Sequence, residues 1–429
     1  MINKLTRLAV LVAISLLLTG CFGGKETDDV AYVLIMGIDK AEGGQKVTYQ
    51  IAKPKGAGGG EIGGSDPSGM GGGKAGSEGG KPWITNTMII PAPADARMML
   101  QSTMSRTPNF THVSVFIISE EVAREGILPT LTVPLRNREY RESLLILIVQ
   151  GSAEEFIKHN IPVMESTISK YYETFFARAP DVGYFMRSTL HEFYSTLKNP
   201  GGSPYAAYGG INTKDLQGHP AGPKTTPEQK SDPYLPGGMP RQGMENPAEW
   251  LGLAVFRGDK MVGVLNSDET RAVAILKNKL SNASVGVVDP LKPEKDFISL
   301  TIRNGAKPKI TANMNGGQPI FNAEVLIDAE IFGISSGINY ESPPYREQLE
   351  AQVSKMIEGQ ITAMIKHTQE LGTDPVAFGL YLRPSFANFD ELEKANLTTL
   401  YQAATVNVKV TAKIRRTGLL LQTSPERPE

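Results

Sequence analysis

Apolar residues along this chain fall in short runs whose period switches between two and about 3.6. Residues 8–18 are an apolar run behind two basic residues, Lys4 and Arg7. The run is well short of the ~20 residues that a membrane-spanning helix needs. Residues 28–38 are nearly continuously apolar and end at Asp39, which predicts a strand buried on both faces. After a polar turn to Gln45, residues 46–52 alternate with period two and predict a second strand with a wetter face. A helix is expected over 91–106 and a strand over 112–119. One or two short helices, broken at Gly126 and Pro134, are expected over 120–138. A buried strand over 143–149, a helix over 153–159 and two helical segments near 163–178 and 182–198 complete this half.

The second half starts at Trp250 with a hairpin pattern whose two-residue turn is Gly258-Asp259. Ser267, or alternatively Thr270, reads as the N-cap of a helix reaching about Leu276. Strands are predicted at 296–303, 308–313 and 320–331. Residues 344–371 form the longest helical pattern, with Leu349, Val353, Met356, Ile357, Met364, Ile365 and Leu371 as its apolar stripe. Gly359 inside it is expected to serve close packing, and Gly372 to stop it. A helix over 390–403 precedes a terminal strand in which Val406, Val408, Val410, Ala412 and Ile414 alternate with polar, mostly basic residues.

These elements predict an α+β fold of several subdomains, with mixed or antiparallel sheets flanked by helices. The expected organisation is a signal segment over 1–20, an N-terminal α+β domain over 21–198 and a Pro/Gly-rich linker over 199–247. A C-terminal α+β region over 248–429 is expected to divide near 290. The glycine-rich stretch 54–82 reads as a flexible insert. It fails as a phosphate loop, because Ser68 stands where the first glycine is required and Ala75 replaces the hydroxyl residue after Lys74.

Composition alters this picture at one point. The 429 residues contain a single cysteine, Cys21, which excludes internal disulfides and cysteine-rich metal clusters. It directly follows Leu18-Thr19-Gly20 at the end of the first apolar run. A basic start, an apolar stretch and small residues before a cut form a secretory signal. A cysteine at the cut matches the bacterial lipobox, so Cys21 is expected to carry diacylglycerol as a thioether, with a possible further N-acyl chain. Two acyl chains, at ~0.8 kcal/mol per buried CH₂, anchor stably where one does not. The 44 basic and 45 acidic residues balance; loss of residues 1–20 takes the formal charge from −1 to −3. Nothing there favours a nucleic-acid partner.

No catalytic pattern emerges. His112, His159, His191, His219 and His367 are dispersed, with no His-x-x-x-His or Glu-x-x-His pair that would put two metal ligands on one helix face. Glu154 and Glu155 are adjacent and point to different faces of a helix, so they are no acid–base couple. No nucleophile elbow or calcium loop is present. No catalytic, metal or cofactor residue is therefore assigned, and a non-enzymatic binding or structural role is expected.

In order and number, several segments resemble the Ger(x)C lipoproteins, the C subunits of nutrient germinant receptors of endospore-forming bacteria. They are the lipobox at Cys21, Met36-Gly37-Ile38-Asp39, Ser105-Arg106, and His112 through Ser119-Glu120 to Gly126-Ile127. Further carriers are Arg136-Asn137-Arg138-Glu139, Gly252–Phe256 with Lys260–Gly263, Gln369–Asp374 with Phe378-Gly379, and Ile414–Gly418. The chain departs from the family at Phe22, where a Trp is usual, and at Phe386 or Phe389, one of which replaces a later Trp. The resemblance implies three α+β subdomains on the outer face of the spore inner membrane. It also implies assembly with two integral membrane subunits and a role in nutrient-triggered germination; the residues name no germinant. The rival reading is a lipid-anchored solute-binding protein of a transporter, which requires two similar lobes around a cleft.

Overall fold

The computed structural model describes residues 29–53, 81–91, 95–165, 167–213, 234–239, 245–294, 296–420 and 423. The expected signal segment with Cys21, nearly all of the glycine-rich insert, and His219 lie outside the described residues.

The first half is built on a nine-stranded mixed sheet in the order β3-β2-β1-β5-β6-β7-β8-β9, with β4 beside the start of β1. The strands are β1 (Val30–Ala41), β2 (Gly44–Ala52), β3 (Trp83–Ile90), β4 (Thr107–Asn109), β5 (Val115–Ser119), β6 (Leu145–Val149), β7 (Tyr205–Ile211), β8 (Ala248–Arg257) and β9 (Lys260–Leu265). The centre, β1, β5, β6 and β7, is parallel, and both flanks are antiparallel. Its central strands are continuous apolar runs because both faces are covered. In β5, Phe116 and Ile118 face one core and Val115 and Ile117 the other. The first core is roofed by α1 (Ala96–Ser102), α2 (Glu120–Glu125), α3 (Leu128–Arg136) and α7 (Leu190–Lys198). The second lies under α4 (Ala153–His159), α5 (Ile168–Ala177) and α6 (Ala179–Val182), with Trp250 packed edge-on against Phe156 and Phe176.

The second sheet has five strands in the order β10-β11-β13-β12, with β14 parallel to β13. They are β10 (Ala283–Val288), β11 (Phe297–Asn304), β12 (Lys309–Asn315), β13 (Gln318–Ile334) and β14 (Thr405–Arg416). Across it lie α8 (Ser267–Leu276) and the long α9 (Tyr345–Leu371), followed by a 3₁₀ helix (Phe378–Ser385), α10 (Phe389–Lys394) and α11 (Leu397–Gln402). Strand β8 joins the two halves by its alternation. Ala254 and Phe256 enter the core of the large sheet, while Leu253 and Val255 enter that of the small one.

Several sequence expectations need correction. The stretch expected as a linker over 199–247 contains β7, and β8 and β9 belong to the same sheet as β1–β6. The β7 sequence Tyr-Ala-Ala-Tyr-Gly-Gly-Ile lacks the β-branched alternation that marks a strand; its small residues are required because a Cβ at Gly209 would lie 2.5 Å from the Trp250 ring. The expected wetter face of β2 is buried, with Thr48 and Gln50 under cover. Strands β3 and β10 are additional. The helix expected over 91–106 is limited to Ala96–Ser102, and the one over 182–198 to Leu190–Lys198. Pro134 sits inside α3 rather than ending it. Asn266, one residue before Ser267, is the N-cap of α8, in a reciprocal capping box with Glu269. Asn396 at φ 45° divides the expected 390–403 helix in two. Gly359 has open space where a Cβ would be, so it serves no close approach.

Candidate functional site

The one residue assigned a site from sequence, Cys21, lies outside the described residues. Four of the five histidines are described and stay apart. His112 stacks edge-on against Tyr32, His159 faces Glu155, His191 faces Glu142, and His367 Nδ1 lies 2.8 Å from Glu269. Among the described residues, no three His, Cys, Asp or Glu side chains gather closely enough to hold a metal ion.

Most of the resemblance-bearing residues turn out to hold elements together. Gly37 on β1 has no room for a Cβ, which would sit 2.5 Å from Ile157 of α4. Two residues on, the buried Asp39 carboxylate accepts from Ala153 N–H at 2.7 Å, Glu154 N–H at 2.9 Å and Ser152 Oγ at 3.1 Å. Met36-Gly37-Ile38-Asp39 is thus a seat for the N-terminus of α4, with the carboxylate filling vacancies every helix start presents. Gly126-Ile127 docks on the β8–β9 turn, where Ile127 N–H donates to the Asp259 carbonyl and Leu128 N–H to its carboxylate. In the second half, Gln369 Nε2 donates to the carbonyls of Tyr401 and Ala404, each at 2.9 Å. Phe378 stacks on Tyr401 with centroids 5.4 Å apart.

Asp374 stands at the joint between the two halves. Its N–H donates to Ser203 Oγ, its carbonyl accepts from Ser203 N–H, and its carboxylate accepts from Ala377 and Gly379 N–H at 2.8 and 2.9 Å. Burial pushes this carboxyl up to about 6, against the opposing pull of those N–H groups and of Lys277. Burial likewise pulls the Lys277 ammonium down to about 8. Lys277 Nζ donates to the Pro375 carbonyl at 3.1 Å and lies 5.5 Å from the Tyr205 ring centroid. This is a packed polar joint rather than an open site.

An open site is a cavity of about 850 Å³ between β1–β2 and the α3 turn that ends at Tyr140. Period-two alternation brings Gln45, Val47 and Tyr49 of β2 to it, beside Met36 and Ile38 of β1. Four rings form one wall. The Phe110 centroid is 5.5 Å from that of Tyr140 and 6.1 Å from that of Tyr49, and Tyr140 meets Phe116 edge-on at 5.9 Å. The rim is the Arg136-Asn137-Arg138-Glu139 turn. Glu139 is engaged by Arg97 at 2.6 Å and accepts from Phe110 N–H at 3.3 Å, and Arg97 lies over the Phe110 ring. Arg136 and Arg138 are exposed and have no hydrogen-bond or ion-pair partner among the described residues. Gln45 Nε2 donates to Thr130 Oγ1 at 3.0 Å, but the buried Gln45 Oε1 and Tyr49 Oη have no partner. Burial pushes the Tyr49 and Tyr140 phenols well above their ordinary range, so both stay neutral. The described residues lining the cavity include no paired nucleophile and base. Sequence reasoning marked the arginine turn only as a carrier of the resemblance and missed Gln45 and Tyr49; the alternation of residues 46–52 puts Val47 and Tyr49 on one face, while Gln45 reads as the end of the polar turn.

Comparison with known proteins agrees with this layout. The spore germination protein N-terminal domain family matches residues 23–211, and the spore germination B3/GerAC-like C-terminal family matches 251–418. YfkR of Bacillus subtilis is 24% identical over 410 residues, covering 96% of each chain. Spore germination protein KC of the same organism is 24% identical over 432 residues, again covering 96% of each. Spore germination protein GerQC of Bacillus cereus is 23% identical, covering 94% of this chain and 98% of its own. The crystal structure of the GerBC protein superimposes with a TM-score of 0.51 at 14% identity, over 89% of this chain and 96% of that one, and shares the fold. With both family domains in order over most of its length, the chain belongs to the Ger(x)C family of spore germination proteins.

Proposed function

We propose that the chain is the lipid-anchored C subunit of a nutrient germinant receptor, acting without catalysis beside integral membrane subunits on the outer face of the spore inner membrane. The observation that carries the reading is the coincidence of two spore-germination family domains with a lone cysteine at the end of a lipobox. No helix among the described residues is long and apolar enough to cross a membrane, so a covalent tether is the economical route to the bilayer. Anchoring confines the folded body to two dimensions and raises its effective concentration near membrane partners without a strong pairwise contact.

The solute-binding alternative finds less support. It needs two similar lobes, whereas the sheets here have nine and five strands and share β8 between their cores. Deletion of the gene in a strain without a paralogue tests the proposal. Spores are expected to lose or markedly slow their nutrient-triggered germination while forming normally; an unchanged nutrient response contradicts the role.

A further inference from the structure

The cavity beside β2 has features that packing alone does not explain. Its volume, about 850 Å³, lies within the usual range of small-molecule sites. It is a cleft open at the arginine turn, and its mostly apolar wall is the kind that a small molecule covers. Tyr49 is fully buried, yet its hydroxyl meets no partner among the described residues, whereas buried polar groups in proteins are ordinarily satisfied. At the mouth, the charge balance is one-sided. Glu139 is already held by Arg97 and a backbone N–H, which leaves Arg136 and Arg138 without a carboxylate.

We propose that this cavity is a binding site for a small amphipathic anion, its apolar body between the Phe110 and Tyr140 rings and the strand β2, and its charged group at Arg136 and Arg138. The Tyr49 hydroxyl is covered in the empty protein; once the lining side chains shift around the ligand, it serves as donor or acceptor to one hydrogen-bonding group. The guanidinium forks suit a carboxylate, sulfonate or phosphate equally, so the rim specifies an anion and the ring wall specifies its apolar part. The site stands whether or not the chain assembles with membrane subunits, since all its residues come from this polypeptide.

Anilinonaphthalene sulfonate has the required parts: fused rings, one N–H and one anionic group. Fluorescence titration of the purified full chain is expected to show one saturable site. Val133→Trp, which fills the cavity from α3, should weaken binding by about tenfold or more. Arg136→Ala with Arg138→Ala should weaken it and flatten its salt dependence. Tyr49→Phe gives the most specific readout. Affinity falls about fivefold through one lost hydrogen bond, while the melting temperature of the empty protein stays the same or rises, because an unsatisfied hydroxyl has been removed. Displacement of the dye by phenylpropanoate identifies a ring-shaped body, and displacement by octanoate an alkyl chain. Non-saturable fluorescence, binding indifferent to Val133→Trp and Tyr49→Phe, or displacement by neither acid overturns the proposal.

Discussion

At the scale of the residue, two buried carboxylates illustrate opposite uses of burial. Asp39 is surrounded by donors: two helix-start N–H groups and the Ser152 hydroxyl share its oxygens. Asp39→Ala strands those donors under cover, and the expected loss is about 2–4 kcal/mol, read as a lower urea midpoint. Asp39→Asn keeps one acceptor oxygen and should lose less. Loss of stability within a few tenths of a kcal/mol of zero for the alanine variant contradicts the seat assigned to α4. Asp374 is dominated by desolvation instead. Its folded pKa of about 6 lies above the ordinary carboxylate value, so the neutral form is the better-tolerated one. Stability from this group is present below about pH 4 and is lost as pH rises through 6, by on the order of 2–3 kcal/mol. Lys277 works in the other direction: its stabilising neutral form is lost as pH falls through about 8. Urea midpoints of the wild type and Asp374→Asn across this range should therefore differ by an amount that changes with pH. A pH-independent offset contradicts the linkage.

At the scale of the element, α9 does two jobs. Its apolar stripe covers the small sheet through Leu349, Val353, Ile357 and Ile361. A flanking row at four-residue spacing closes the outer edge of β14. Ile414 N–H donates to Glu350 Oε1 at 2.9 Å, Ala412 N–H to Ser354 Oγ at 2.9 Å, and Val410 N–H to Glu358 Oε2 at 3.3 Å. An edge strand otherwise offers these donors to any passing chain, and the helix removes that hazard. Gly359 follows directly after this row, exposed and with no atom near its missing Cβ. Gly359→Ala is therefore expected to raise stability by about 0.5–1 kcal/mol through helix propensity. A destabilised variant would show that the glycine is needed for contact or bending. The stripe and the β14 alternation were both legible in the sequence, because a single apolar face is what periodicity reports. The edge closure was not: Glu350, Ser354 and Glu358 look like an ordinary solvated row until β14 is laid beside them.

At the scale of the molecule, the sequence pattern failed where both faces of an element are buried or where close packing selects small residues. Strand β7 looked like linker because Ala and Gly make room for Trp250, and β2 looked half-wet because Thr48 and Gln50 lie under α4 and its neighbours. The change in composition near 199–247 was visible, but the first sheet runs on through it to β9. That β8 carries one face into each core was not, since alternation cannot tell two cores from one core and solvent. The cavity was half legible: its arginine rim stands out in the sequence, while its ring wall comes from three separated segments that only the folded sheet and the turns beside it bring together. The functional reading rests on a feature at the opposite end of the chain from most of this packing. No helix among the described residues is long and apolar enough to cross a membrane, and the proposed role beside a bilayer rests on a lipid at Cys21. Intact-mass analysis of the polypeptide extracted from spore membranes measures that attachment directly. The account predicts a chain beginning at Cys21 whose mass exceeds the residue sum by a diacylglycerol thioether. A chain recovered from the soluble fraction with an unmodified residue 21 would contradict it.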